Sequence, residues 1–198
     1  MKSKHPLTAF IAVAIIVLSF SATARAHGHK GHMMGASPAG GAQETPYAGQ
    51  EKRAIKSLSA RDIDDLENGR GWGLAKAAEL NGMPGPKHLL EMKDKIALTA
   101  EQAAAIGKLF AAMKGRAIAL GKRLVALEGV LNAAFAGRDI DETRLRATLD
   151  KIARVRAELR YVHLATHLKT PALLSSGQIE DYNRLRGYTG SPAMPKGH

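Results

Sequence analysis

Apolar residues recur through the middle of the chain at Ile106, Phe110, Met113, Ala117, Leu120, Leu124, Leu127, Leu131 and Ala134, with spacings that alternate four and three. A seven-residue repeat sustained this long predicts a helix that offers a straight seam to a second helix. Thr99 stands where its hydroxyl caps the first turn, and Gln102 follows three residues on, the pattern of a capping box. Gly137 is placed to end the helix in a left-handed conformation, and Asp139 with Glu142 to cap the next one. That second helix carries Leu145, Leu149, Ile152, Val155, Leu159 and Val162 on one stripe and runs to about Lys169, just before Pro171. So short a connection forces the two helices antiparallel. Tyr161, Leu164 and Leu168 form a further stripe, which predicts cover from flanking helices or from a second subunit.

Shorter elements precede and follow. Ser59 and Asp62 open a short helix, and a glycine cluster holds Trp72 between Gly71 and Gly73. No strand precedes that cluster, so it is not a dinucleotide loop. Leu74 to Leu80 is helical in pattern, Asn81 to Pro86 is a turn, and Pro86 suits the first turn of another short helix at about His88 to Ile96. Ser175 and Gln178 repeat the capping box and open a last helix that ends near Arg186. The expected class is therefore all-α: a long antiparallel helical hairpin with short flanking helices and mobile N- and C-terminal tails.

The first 26 residues change the picture. Lys2 and Lys4 precede an apolar run from Leu7 to Phe20, and Ala24-Arg25-Ala26 meets the small-x-small rule, so an export signal cut after Ala26 is expected. The alternative is an uncleaved anchor in the inner membrane, for which the run is short. The organisation that follows is 1–26 signal peptide, 27–50 disordered His/Met/Gly-rich segment, 51–188 helical domain and 189–198 flexible tail. The 198 residues carry a formal charge of +11 and no cysteine. Disulfides, thiol catalysis and thiolate metal sites are thereby excluded. For an exported chain, acidic proteins, anionic lipid headgroups or lipopolysaccharide are better partners for that charge than nucleic acid.

Leu98-Thr99-x-x-Gln102 and Leu174-Ser175-x-x-Gln178 bracket one hairpin behind an export signal. In this the chain resembles the periplasmic LTxxQ family, which includes the Spy and CpxP envelope-stress proteins, the zinc-resistance-associated protein ZraP and related heavy-metal sensors. The resemblance covers about residues 86–188. It departs from the pattern at Ser175, where the family has Thr, and in an N-terminal extension at about 51–85. The resemblance implies a curved helical protein, often a homodimer. Such a protein either binds unfolded or envelope proteins without ATP or binds metal and reports envelope stress, to a sensor kinase or another membrane regulator.

Candidate chemistry is of three kinds. Cleavage after Ala26 places His29 third from the free amine of His27; that amine, two backbone nitrogens and the imidazole make the four-nitrogen plane that Cu(II) and Ni(II) favour. His32, Met33 and Met34 lie just beyond, with thioethers suited to Cu(I). His163 and His167, four apart on a helix, share a face and supply two ligands for a metal ion such as Zn(II); a third would come from another helix, with His88 and Glu128 as candidates, from the N-terminal tail or from a second subunit, and without one His163 edges the apolar stripe and His167 faces solvent. Lys108, Lys114, Arg116, Lys122 and Arg123 on the first long helix, with Arg144, Arg146, Lys151, Arg154, Arg156 and Arg160 on the second, cannot all share one face; some of them beside exposed Leu and Met make a mixed basic and apolar face suited to disordered chains, the alternative being a solvated face with a few ion pairs. No phosphate loop, nucleophile elbow or H-E-x-x-H motif is present, and no enzyme activity is expected.

Overall fold

The computed structural model describes residues 45–188. The expected export signal, residues 27–44 with His27, His29, His32, Met33 and Met34, and the tail from 189 lie outside the described residues. Within them the chain is helical, with no strand. The elements are α1 (Ala60–Glu67), α2 (Lys76–Glu79), α3 (Pro86–Glu91), α4 (Ala100–Ala136), α5 (Glu142–Lys169) and α6 (Ser176–Leu185), with short 3-10 turns at Gln50–Lys52 and Pro171–Leu173.

The long helices pair along the expected seam. Ile106, Met113, Ala117, Leu124 and Ala134 of α4 are buried, as are Ile152, Val155, Leu159 and Val162 of α5. The hairpin turn differs in detail from the sequence reading. Asp141, not Asp139, caps α5, its carboxylate accepting from the Arg144 amide at 2.7 Å. Asp139 instead pairs with the Arg144 guanidinium. The left-handed residue is Arg138 (φ 53°) rather than Gly137 (φ −81°). Leu149, expected on the seam, is 45 % exposed. Residues 45–50, expected to be disordered, form turns that lead into the first 3-10 helix.

The N-terminal extension is laced onto the hairpin. At its far end the Asn132 amide accepts from the Lys56 backbone N–H (3.2 Å) and donates to the Ala54 carbonyl (3.3 Å), as a neighbouring strand would. Ser57 donates to Glu128 at 2.8 Å. Next, α1 begins with a capping box of Ser59 and Asp62 and ends against α4. The contact is backbone to backbone: a Cβ on Gly121 would stand 2.0 Å from the Leu66 carbonyl oxygen. Leu58, Leu66 and Leu74 join Ala117, Leu124, Ile152, Val155 and Leu159 in one core cluster. Trp72 closes it, donating its indole N–H to Asp62 at 2.8 Å and lying 5.0 Å below the Arg156 guanidinium. The Ser59 hydroxyl and then the Trp72 indole hold the Asp62 carboxyl below its ordinary range.

A second cluster, Leu89, Ile96, Ile106 and Tyr182, fills the base of the hairpin between α3, α4 and α6. Here the two repeated motifs meet. Thr99 and Ser175 each make a complete capping box. The two glutamines of those boxes then face each other, each side-chain N–H donating to the other's carbonyl oxygen at 2.9 Å. Gln102 also donates to the Leu173 carbonyl (2.9 Å) and Gln178 to that of Ala97 (3.2 Å). Each glutamine thus serves its own cap and fastens the other motif. Replacing either by Ala removes several hydrogen bonds from a half-buried site and is expected to cost about 2 kcal/mol. The double substitution is expected to fall short of the sum by about 1 kcal/mol. Urea denaturation of the two singles and the double measures this coupling, and strict additivity would refute the shared role.

Candidate functional site: the uncovered side of the hairpin

The short helices cover the hairpin on one side only. α1 lies on α4 along the flank of Ile118 and Gly121, and α2 lies on α5. Helical periodicity puts Leu120 and Arg123 on the other flank of α4. There, between the two long helices, an open groove of about 480 Å³ remains. Leu120, Ala147 and Val155 contribute its apolar surface; Arg123, Lys151 and Arg154 stand along it with Asp150 and Glu158. Basic charge is concentrated on these helices. α4 and α5 together hold twelve Lys and Arg against five Asp and Glu. Of the eleven basic residues singled out from sequence, Arg144 alone has a carboxylate partner among the described residues. Arg156 is spent on Trp72. Of the rest, Arg123, Lys151 and Arg154 stand along the apolar groove with no carboxylate within ion-pair distance among the described residues, an arrangement that attracts acidic segments and offers apolar side chains a dry contact.

His163 and His167 depart from expectation. Both are buried, at 4 % and 6 % exposure, and the loop between α2 and α3 packs over His167. The His167 Nδ1 donates to the Met83 carbonyl at 2.9 Å; since a carbonyl only accepts, the proton is on Nδ1. Gly85 lies flat against the same ring, where a Cβ would come within 2.7 Å of Cε1. The His163 Nε2 is buried without a hydrogen-bond partner. Burial, and then the nearby His167, push the His163 imidazole down to about 4.

Among the described residues no third ligand joins them. His88 is engaged with Glu91 (2.8 Å) and lies 3.8 Å from Glu79, while Glu128 accepts from Ser57 at the far end of the hairpin. Among the described residues no three His, Asp or Glu side chains come together as a metal site requires. Among the described residues the pair stops at two ligands, and His167 fastens the Met83–Gly85 loop. Their role was legible only as two histidines within an apolar stretch; the Met83 loop that covers His167 has no sequence signature.

Beside them is a polar hub that sequence reasoning missed. Glu79 accepts from Arg186 and from the Tyr188 hydroxyl (2.9 Å), and Tyr182 is 3.5 Å away. Burial raises the Glu79 carboxyl, but the Tyr188 and Arg186 hydrogen bonds outweigh it and hold the group below its ordinary value. The hub ties the end of α6 to α2, a structural task.

No family model, curated protein or solved structure matches this chain. No described helix is long and apolar enough to cross a membrane.

Proposed function

We propose that this chain is an exported envelope-stress protein of the Spy and CpxP kind, which binds unfolded or partner proteins without ATP through the uncovered side of its hairpin. The observation that carries this reading is the open groove, apolar at Leu120, Ala147 and Val155 and edged by the unpaired cations Arg123, Lys151 and Arg154. Charge speeds the encounter with a disordered chain, and apolar contact retains it. The paired motifs at Thr99–Gln102 and Ser175–Gln178 support the likeness to the LTxxQ family. A periplasmic homodimer, reporting to a sensor kinase or another membrane regulator, belongs to the same proposal.

The test is suppression of aggregation of a reduced, unfolding client by the purified protein. Wild type is expected to suppress it with and without chelator. Arg123→Glu with Lys151→Glu, both exposed, is expected to reduce suppression roughly tenfold through reversed charge at the groove edge, while leaving helicity intact. Equal activity of variant and wild type would refute the groove as the binding surface.

A second reading is favoured by the chemistry of residues 27–34: a heavy-metal resistance or sensor protein that takes Cu, Ni or Zn ions at His27, His29, His32, Met33 and Met34. On this reading the processed protein binds Cu(II) with one-to-one stoichiometry and has no client activity. Mass spectrometry that finds a terminus other than His27 removes the four-nitrogen site.

A further inference from the structure

On the outer face of α5, away from the core, Ala153, Ala157, Tyr161, Leu164 and Leu168 follow one another at spacings of four, four, three and four. Tyr161 is 59 % exposed and Leu168 66 %, so none of the described flanking helices covers the stripe as its apolar character predicted. Arg160 flanks it on one side, Arg154 borders it on the other where it also lines the groove, and Lys169 stands at its end; none of the three has a carboxylate partner among the described residues. From Ala153 to Lys169 the only acidic residue is Glu158, which lies toward the groove.

We propose that this half of α5 docks the protein flat on an anionic lipid surface. A helix with a narrow apolar stripe bordered on both sides by long basic side chains suits the headgroup boundary: the ring and leucines enter it, and the guanidinium and ammonium groups reach the phosphates. The helix is already folded and fixed to the body, by buried Leu159, Val162, Thr166 and Thr170 on its other side, so docking carries no cost of folding it. Charge selects the occupant. A second copy laid on this face would set Arg154 and Arg160 against the same residues of its partner, whereas a lipid phosphate complements them. A disordered client finds walls in the neighbouring groove and none on this convex face.

The test is co-sedimentation of the full chain with vesicles of phosphatidylcholine alone or with added phosphatidylglycerol. Because Leu7–Phe20 is itself apolar, the result is read as the difference between otherwise identical chains. Wild type is expected to sediment with the anionic vesicles and to be released by salt. Arg160→Gln with Lys169→Gln is expected to weaken partitioning roughly 30-fold, from the worth of two basic residues near an anionic surface. Tyr161→Ser with Leu168→Ser is expected to weaken it more than about tenfold. These side chains are exposed, and unchanged circular dichroism and Trp72 fluorescence certify the fold. Equal partitioning of wild type and both variants, or equal binding to neutral vesicles, overturns the proposal. So does a wild-type dimer that the Tyr161/Leu168 variant converts to monomer, since the face is then a self-interface. None of these substitutions touches Arg123 or Lys151, so loss of lipid binding with aggregation suppression intact, or the reverse, separates this proposal from the client-binding one.

Discussion

Gly121→Ala is expected to destabilise the protein by about 2–4 kcal/mol, against the ordinary benefit of removing a glycine from a helix interior. In an open position that exchange stabilises by about 0.5–1 kcal/mol, because Gly has more conformational freedom to lose. At Gly121 the added methyl would stand 2.0 Å from the Leu66 carbonyl oxygen and 2.6 Å from its carbon. Both are backbone atoms, so no rotamer change relieves the clash and α1 must move. Moving α1 withdraws Leu66, which is 1 % exposed, from a cluster that includes Leu124 and Leu159. Overpacking alone costs roughly 1–3 kcal/mol, and loosening a buried leucine adds to it. Gly107 and Gly115 lie in the same helix with nothing within 4 Å of a built Cβ, so Gly107→Ala and Gly115→Ala are expected to stabilise. Urea melts of the three variants test the sign at each position. A stabilised Gly121→Ala would mean that α1 is not seated as described.

Stability is expected to fall between pH 6.5 and about 4, and His163 is expected to carry much of the fall. Its folded-state value of about 4 lies below the 6.5 of an exposed imidazole, so the unfolded chain takes up a proton that the folded chain refuses. The contribution is intact above pH 6.5, shrinks as the pH drops through that window, and is spent below about 4. A shift of that size corresponds to a loss on the order of 3 kcal/mol. The protonated ring would have its Nε2 buried without an acceptor and His167 beside it on the next turn. His163→Leu removes the titrating group and is expected to flatten the curve. Denaturation midpoints of wild type and variant across pH 4–7 make the comparison; identical slopes would assign the acid sensitivity to other groups.

Periodicity made the long elements legible. The alternation of four and three from Ile106 to Ala134 gave α4 to within a residue or two, and Thr99, Ser59 and Ser175 gave three helix starts through hydroxyl capping. What escaped depends on contacts between distant segments. Gly121 reads as a helix-weakening residue until α1 is seen against it. Gln102 and Gln178 read as two local caps, because nothing local says that their amides pair. Tyr161 and Leu168 read as part of a buried stripe, but α2 packs elsewhere on α5 and α3 packs on α4, leaving them in solvent. His167 was expected in solvent because the turn that covers it, Met83 to Gly85, has no periodicity to announce it. The basic surface was legible as composition, while its division into a groove and an outer face required the placement of α1.

The amide pair at the base of the hairpin bears on how such a sequence can drift. Either glutamine replaced by glutamate keeps its shape but turns a donor into a second acceptor, so two oxygens would meet where an N–H and an oxygen now do. The stretch between them, 76 residues from one glutamine to the other, can be lengthened, shortened or rewritten wherever the helices still reach. The two ends of that interval are under a common constraint, and a tolerated change at one is expected to be inherited together with an answering change at the other.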